Sequence, residues 1–233
     1  MKTIERYLRQ SREGLYGLVL VIPLFVIYEA SMYLAEYKFR NGADALVTNV
    51  LDLVPVLSTL AVKLSFFLLL ALTLYVSSGR RRINSTFIPF LLLESMIYSL
   101  FLGTVASRLL RPFFDFPFLS VASELLPTSF ITAVGAGLYE ELLFRFILFG
   151  GLVWAGSKIM KKKAFAVIFA AVISSLLFSG YHYLGPYGYQ FEAYSFTFRA
   201  VAGLILTLIY YFRGFAVAAY THAFYDIWVL GFF

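Results

Sequence analysis

The sequence predicts an all-α, polytopic membrane protein, a bundle of about seven to eight transmembrane helices. Two features of composition and one of pattern support this prediction: hydrophobic residues make up 61% of the 233 residues, charged residues make up only 14%, and long apolar runs recur along the chain. A helix needs about 20 apolar residues to cross a bilayer. Because these spans leave room for little else, we expect a single integral membrane domain over residues 1–233.

Seven apolar stretches are long enough to span a membrane. The segment 45–56 is too short and is interrupted by Asp52 and Pro55, so we expect it at the interface or at the start of a long second span. An eighth element would come from there or from 117–126. The charged, amphipathic N-terminus is expected to be a retained cytoplasmic helix. The seven stretches are about 15–36, 57–78, 86–106, 130–156, 164–183, 196–212 and 214–232.

The basic residues predict how the chain is oriented. Counted on alternate sides of the spans, lysines and arginines number 12 against 5. The richer side is predicted to be cytoplasmic, which places the N-terminus inside and the protein in the plasma or inner membrane. Because the basic residues lie in short blocks between apolar runs, no nucleic-acid partner is expected. The absence of cysteine excludes disulfides, thiolate metal sites and cysteine nucleophiles.

Three charged residues interrupt the fourth apolar stretch: Glu140, Glu141 and Arg145. A charge at the centre of a membrane helix costs at least about 2.5–3.5 kcal/mol, so such residues are normally paired or functional. Glu141 and Arg145 are four residues apart, which predicts an ion pair on one helix face. Glu140 projects about 100° away from Glu141 and lacks that partner, which suits a general base.

Three further charged residues in apolar stretches are expected to be structural. Glu29 and Glu94 are each predicted to hydrogen-bond to a neighbouring helix. Lys63 lies close to the start of its stretch, so we expect its ammonium group to extend to the membrane interface.

The chain has two histidines, and both fall in or at the end of predicted spans. His222 and Asp226 are four residues apart and therefore share a helix face. Ser179 is within reach of His182, but it lacks the Gly-x-Ser-x-Gly turn of a serine hydrolase, which favours a packing role. A His-Glu-x-x-His zinc motif is absent, and Asp226 is the only aspartate well inside a span, which disfavours an aspartyl pair.

Three motifs, in order along the late spans, resemble those of one family. "EELLFR" (140–145), "FSGYH" (178–182) and "HAFYD" (222–226) resemble the Glu-Glu-x-x-x-Arg, Phe-x-x-x-His and His-x-x-x-Asn/Asp motifs of the CAAX-protease and bacteriocin-processing family of intramembrane proteases, similar to the type II CAAX prenyl endopeptidases. The resemblance covers about residues 130–232, the expected catalytic core. It implies that the structural support comes from Glu141 and Arg145 and that the catalytic residues are Glu140, His182, His222 and Asp226.

Two departures from the family pattern leave the substrate open. Phe146 follows the arginine where many members have glycine, and Asp226 stands where prenyl-protein endopeptidases usually have asparagine. The resemblance implies a peptide or protein substrate, with a membrane-anchored tail as one candidate.

The resemblance also implies a mechanism. Glu140 and His182 would hold and deprotonate a water, and His222 with Asp226 would stabilise the oxyanion or orient each other. In a second version, zinc bound by His182, His222 and Glu140 would activate the water. We expect no cofactor. Two histidines without a clear third ligand are few for a zinc site, and His182 can instead donate a hydrogen bond to Glu140.

A non-enzymatic membrane protein is the alternative, either a proton-coupled carrier or an immunity or scaffold member of the family. Acid, histidine and arginine side chains at mid-membrane depth also suit a proton relay, although no inverted repeat of spans is visible.

Helical rise places Glu140 and His182 about 25 Å from the cytoplasmic edge but His222 only about 12 Å from it. Bringing them together requires tilt, a kink or a turn within the membrane near residues 212–215.

Overall fold

Helices make up nearly all of the described chain. The computed structural model describes residues 2–34, 40–51, 59–77, 84–114, 127–184 and 188–232, and within these ranges it contains no strand. The predicted element at 117–126 lies wholly outside them. The helices are α1 (Lys2–Gln10), α2 (Gly14–Leu34), α3 (Gly42–Leu51), α4 (Thr59–Ser77), α5 (Ile88–Leu110), α6 (Pro127–Gly135), α7 (Gly150–Ile159), α8 (Lys163–Tyr181), α9 (Ala193–Arg213) and α10 (Phe215–Phe232).

The predicted all-α membrane bundle is confirmed. Among the described residues, five helices are long and apolar enough to cross a membrane. The predicted spans 57–78 and 214–232 also form helices, α4 and α10, but these are not among the five. The segment 45–56 overlaps the ten-residue α3, too short to span. The five candidate spans are Gly14–Leu34, Ser85–Leu110, Phe130–Ile159, Lys163–Tyr181 and Ala193–Arg213.

The longest span, Phe130–Ile159, is not an α-helix throughout. Between α6 and α7 it contains two π-helical stretches, Ala136–Glu140 and Leu142–Phe149. π-Helical turns are rare and are frequent at functional sites. The three predicted site residues of this span therefore lie in its irregular part.

Helix α10 packs against α2, α5, α6, α9 and the first π-helical stretch. Its early residues, 216–219, are small and fully buried. Gly137 faces it so closely that an added Cβ would lie 2.5 Å from the carbonyl oxygen of Ala219. Small side chains at such a contact allow two membrane helices to approach. The contact brings the first half of α10 against the helix that carries the glutamates.

One polar contact joins α1 and α9 to α5. Arg213 at the end of α9 donates to Glu94 of α5 through Nε at 2.5 Å and Nη2 at 2.8 Å. The hydroxyl of Tyr7 in α1 also donates to Glu94. The prediction that Glu94 hydrogen-bonds to a neighbouring helix is confirmed.

A second group of charges lies among α2, α3 and α4, with three buried members and one, Arg40, exposed at its edge. We call it the ion cluster: Glu29, Arg40, Asp44 and Lys63. The ammonium group of Lys63 lies 3.0 Å from Glu29 Oε1 and also contacts Asp44. Arg40 Nη1 lies 2.9 Å from Asp44 Oδ2 and 3.9 Å from Glu29 Oε2. The ion cluster thus joins two acids to two bases.

The expectation that Lys63 extends to the interface is wrong. Its side chain is only 2% exposed, because two carboxylates lie within reach in the interior and compensate its desolvation. Two tyrosines complete the surroundings. Tyr139 donates to Glu29, which confirms the prediction for that residue, and Tyr28 donates to Asp44 at 2.9 Å.

Candidate active site

All six site residues predicted from the sequence lie together in the structure. Four elements supply them: the two π-helical stretches and the residue between them, the end of α8, and the middle of α10. We call this group the acid–histidine cluster. Its members are Glu140, Glu141, Arg145, His182, His222 and Asp226.

The imidazole of His222 lies between the two neighbouring glutamates. Its Nδ1 is 2.7 Å from Glu141 Oε1, and its Nε2 is 3.9 Å from Glu140 Oε2. On a regular α-helix the two glutamates would diverge by about 100°, as the sequence reasoning assumed. Here, where the helix is π-helical on both sides of Glu141, both side chains contact one ring. Their partners, rather than opposite helix faces, distinguish the two carboxylates.

The predicted ion pair between Glu141 and Arg145 is present. Arg145 Nη1 lies 2.9 Å from Glu141 Oε1, and both side chains are buried. The contact is ionic rather than a directed hydrogen bond, since neither Nη1 nor Nε of Arg145 has a hydrogen-bond partner among the described residues. Nη2 donates to the Gly203 carbonyl at 3.3 Å, and the guanidinium lies 4.2 Å from the centre of the Phe178 ring. Arg145 is therefore held in place by helices α8 and α9.

His182 lies at the C-terminal cap of α8, where its own helix fixes its tautomer. Its Nδ1 is 2.8 Å from the carbonyl oxygen of Phe178. Because a carbonyl can only accept, Nδ1 carries the proton, and in the neutral ring Nε2 presents a lone pair. That Nε2 lies 3.8 Å from Glu140 Oε2. The expectation that His182 donates a hydrogen bond to Glu140 is therefore wrong for neutral His182, which presents an acceptor.

The two oxygens of Glu140 have different surroundings. Oε1 accepts a hydrogen bond from the Asn41 side-chain amide at 2.9 Å. Oε2 is buried and has no hydrogen-bond partner among the described residues, although it faces the Nε2 atoms of both His182 and His222. Glu141 Oε2 also lacks a hydrogen-bond partner among the described residues, so what distinguishes Glu140 Oε2 is that two imidazole nitrogens face it.

Asp226 lies on the open side of the cluster. Its Oδ2 is 3.6 Å from His222 Nε2, one helical turn away as the spacing predicts. A quarter of its side chain is exposed, against 6% for Glu140 and His222. Asp226, and His182 at 19%, are therefore the most exposed members of the cluster.

The difference in depth between His222 and the other residues is resolved by a turn between α9 and α10. Gly214 alone connects these helices, with φ of +93°, a conformation that glycine adopts without strain. Eight residues, about 12 Å, separate it from His222. The ring of Phe149, nine residues after Glu140, contacts the rings of Tyr210 and Tyr211. The turn therefore lies level with the middle of the helix Phe130–Ile159, and α7 extends beyond it.

An apolar cavity of about 630 Å³ runs beside the site. It lies between the second π-helical stretch, α7 and α8, and Leu46 of α3 also lines it. Phe144 and Tyr181 are shared by the cavity wall and the surroundings of the cluster, since both rings lie next to Phe178 or His182. The rings of Phe144 and Tyr181 thus lie between this hydrophobic space and the acid–histidine cluster, none of whose members lines the cavity.

Asn41 was not predicted from the sequence as a site residue, whereas the packing role predicted for Ser179 agrees with the structure. Nothing in the sequence links Asn41 to a glutamate 99 residues later. The hydroxyl of Ser179 donates to the Phe196 carbonyl at 2.6 Å and is fully buried, as expected for a packing residue.

The donor types of the cluster suit zinc, but their spacing is wide. Two imidazoles whose Nδ1 atoms are bound by acceptors, with both Nε2 atoms facing one carboxylate, resemble histidine ligands with their supporting shell. At Zn–ligand distances of 2.0–2.1 Å, tetrahedral donors lie about 3.3 Å apart. The corresponding separations here are 3.8 and 3.9 Å. Among the described residues, no group of three or more candidate ligands has the arrangement of a metal site.

The fold and the site together define a class: a polytopic helical membrane protein with a buried acid–histidine cluster. Residues 122–228 match the family described as type II CAAX prenyl endopeptidase, Rce1-like, a family of proteases. The resemblance predicted from the three motifs is confirmed over this region, which holds the whole acid–histidine cluster and is slightly less than half of the chain. No curated protein and no solved structure matches the chain.

Proposed function

We propose that this protein is an intramembrane endopeptidase in which Glu140 activates a water molecule to hydrolyse a peptide bond. The observation that carries the proposal is the unpartnered oxygen Glu140 Oε2, buried and facing two imidazoles. The match to a protease family supports the reaction class. The catalytic residues are Glu140, His182, His222 and Asp226, and the core is about residues 130–232 of a single membrane domain.

The hydrogen-bonding roles suggest the order of events. A water between Glu140 Oε2 and His182 Nε2 donates one O–H to each acceptor, which directs an oxygen lone pair toward the substrate. Glu140 takes a proton as that oxygen attacks the carbonyl carbon. When the C–N bond breaks, Glu140 returns the proton to the leaving amine. Glu141 and Arg145 remain paired and hold His222 in position.

His222 supplies the second function of the site. Its Nδ1 donates to Glu141, so Nε2 can donate to the developing oxyanion only when the ring carries both protons. In that form its positive charge lies beside the carboxylates of Glu140, Glu141 and Asp226. Asp226, within 3.6 Å of Nε2, orients the ring from the open side.

We further propose that no tightly held metal takes part in the reaction. The support for this is the separation of 3.8 and 3.9 Å between Glu140 Oε2 and the two imidazole Nε2 atoms. If zinc is bound, His182, His222 and Glu140 would hold it, and it would supply an acidified water. Elemental analysis of the purified protein and dialysis against a strong chelator separate the two versions. We expect substoichiometric zinc and retained cleavage. Loss of cleavage that zinc alone restores would contradict the metal-free version.

The substrate is proposed to be a peptide or protein with an apolar or membrane-anchored segment. The 630 Å³ cavity beside the cluster is lined by leucine, isoleucine and aromatic side chains, which suits such a segment.

The proposal is tested by comparing protein and peptide termini in cells that express the wild-type chain, the Glu140→Gln variant or neither. New termini with the wild-type chain alone would identify substrates. Equal termini in all three, with the protein present in the membrane, would instead support the non-enzymatic alternative, a proton-coupled carrier or an immunity or scaffold protein.

The proposed orientation in the plasma or inner membrane has a cytoplasmic N-terminus and a cytoplasmic α7–α8 connection, where Lys158, Lys161, Lys162 and Lys163 lie. Reporter fusions test it. A reporter at Lys162 should be cytoplasmic and one at Phe233 should be outside. The same side for both fusions would overturn the orientation.

A further inference from the structure

We infer that Asn41, on the connection into α3, is a positioning residue that fixes the orientation of the Glu140 carboxylate. The inference deepens the proposed function and rests on it. Asn41 lies outside the family match at residues 122–228, so the N-terminal part of this chain would complete a site whose motifs lie in the C-terminal part.

The direction of the Asn41 amide follows from its two contacts. Oδ1 lies 2.9 Å from the backbone nitrogen of Ala43, and a backbone N–H can only donate. The oxygen of the amide therefore faces Ala43, and its NH₂ group faces outward. Nδ2 lies 2.9 Å from Glu140 Oε1 and donates to it.

This single donor determines which oxygen of Glu140 is left open. With Oε1 occupied by Asn41, Oε2 is the oxygen that faces His182 and His222 without a partner. Without the amide, the carboxylate is free to rotate about its terminal torsion, and neither oxygen has a fixed position relative to the two rings. Asn41 thus prepares the geometry in which a water bridges Glu140 and His182.

The backbone of Asn41 is itself anchored by the ion cluster. Its N–H donates to the hydroxyl of Tyr28 at 2.9 Å, and that hydroxyl donates to Asp44. Asp44 is held in turn by Arg40 and Lys63. Asn41 also immediately precedes α3, where its side chain caps the helix through Ala43. Asn41 therefore connects the ion cluster, through its backbone and Tyr28, to the carboxylate of Glu140, through its side chain.

Capping and positioning can be separated, because Asn, Asp and Ser cap helices about equally well but only Asn donates from the side chain to Glu140. Asn41→Asp keeps the shape and the cap but places an acceptor against Oε1. Asn41→Ser keeps the cap but has a side chain too short to donate to Glu140 Oε1. Removing a hydrogen-bond partner of a metal ligand typically costs about 10- to 100-fold in affinity or activity, and we take the same scale for the partner of a carboxylate base.

The experiment measures kcat, KM and thermal unfolding of the purified full-length variants on a peptide identified from the cellular comparison of termini. We expect kcat to fall by about 10- to 100-fold in both variants, with KM close to wild type. The melting temperature should stay close to wild type in Asn41→Ser and fall in Asn41→Asp, because the new carboxylate lies against the buried carboxylate of Glu140. Asn84→Asp is the matched control, since Asn84 also caps a helical turn, through Thr86, far from the site. It should leave all three quantities unchanged.

Each outcome decides the inference. Wild-type kcat in either folded variant would overturn it, and so would a loss in Asn41→Ser that only follows a lowered melting temperature, because Asn41 would then be a cap and no more. If Asn41→Asp does not fold, Asn41→Ser gives the answer, and if neither folds the role is structural. An inactive wild-type protein would instead refute the proposed function and the inference with it.

Discussion

Two charge clusters with buried acids lie side by side in this bundle, and they differ in how completely those acids are partnered. The ion cluster of α2–α4 balances two acids with two bases, and each acid has at least two partners. The acid–histidine cluster has three acids and one arginine, and one oxygen of Glu140 and one of Glu141 lack hydrogen bonds within the described structure. They meet at Tyr139, which donates to the ion cluster and precedes Glu140.

The difference indicates what each cluster contributes. Buried charges are costly unless they are paired and hydrogen-bonded, so a saturated cluster joins helices and resists change. A cluster of buried titratable groups whose hydrogen bonds are incomplete lowers the stability of the fold, and such clusters are typical of sites that bind or react. We therefore expect substitutions in the ion cluster to affect stability first and substitutions at Glu140 to affect activity first.

The largest expected effect on stability is that of Lys63→Met. It leaves the carboxylates of Glu29 and Asp44 without their shared ammonium group, and breaking a buried pair costs about 3–5 kcal/mol. Thermal unfolding in detergent should show the loss. Adding Asp44→Asn should recover part of it, as a double-mutant cycle would reveal. A melting temperature equal to wild type for Lys63→Met would show that the ion cluster does not stabilise the fold.

A smaller but still large effect is expected from Glu141→Gln, which leaves the guanidinium of Arg145 buried without its carboxylate. We expect a loss of about 3 kcal/mol, the lower end for a broken buried pair, because the Phe178 ring and the Gly203 carbonyl still contact the guanidinium. Glu140→Gln is the matched control and should unfold like wild type. Equal destabilisation by the two variants would remove the distinction between a structural and a reactive glutamate.

The smallest effect is expected from Ser179→Ala. It removes one buried hydrogen bond, to the Phe196 carbonyl, at a cost of about 1 kcal/mol, and it should leave turnover unchanged. Ser175→Ala is the matched control, since its hydroxyl likewise donates to a backbone carbonyl within α8, at 2.7 Å. A loss of turnover in folded Ser179→Ala alone would contradict the packing role of Ser179.

Spacing along one helix predicted short-range contacts well, and contacts between distant helices poorly. The pairs Glu141–Arg145 and His222–Asp226 follow from a separation of four residues. The burial of Lys63 does not, because membrane helices are apolar on all faces and their hydrophobic pattern does not show which side faces protein.

Two other features had no reliable sequence signal. The π-helical turns around Glu141 depend on packing against α8 and α10, and no propensity predicts them. The amide of Asn41 reaches Glu140 only through the folded arrangement of α2 and α3. The family motifs predicted which residues form the acid–histidine cluster but gave no information on the N-terminal residues that surround them.

The central claim, that the open oxygen of Glu140 activates water, is tested most directly by the turnover of purified Glu140→Gln. The glutamine oxygen can still accept the Asn41 hydrogen bond, so the variant should fold and melt like wild type. Without a base, cleavage should fall by about 10²–10⁴-fold. Turnover equal to wild type in the folded Glu140→Gln protein would contradict the account.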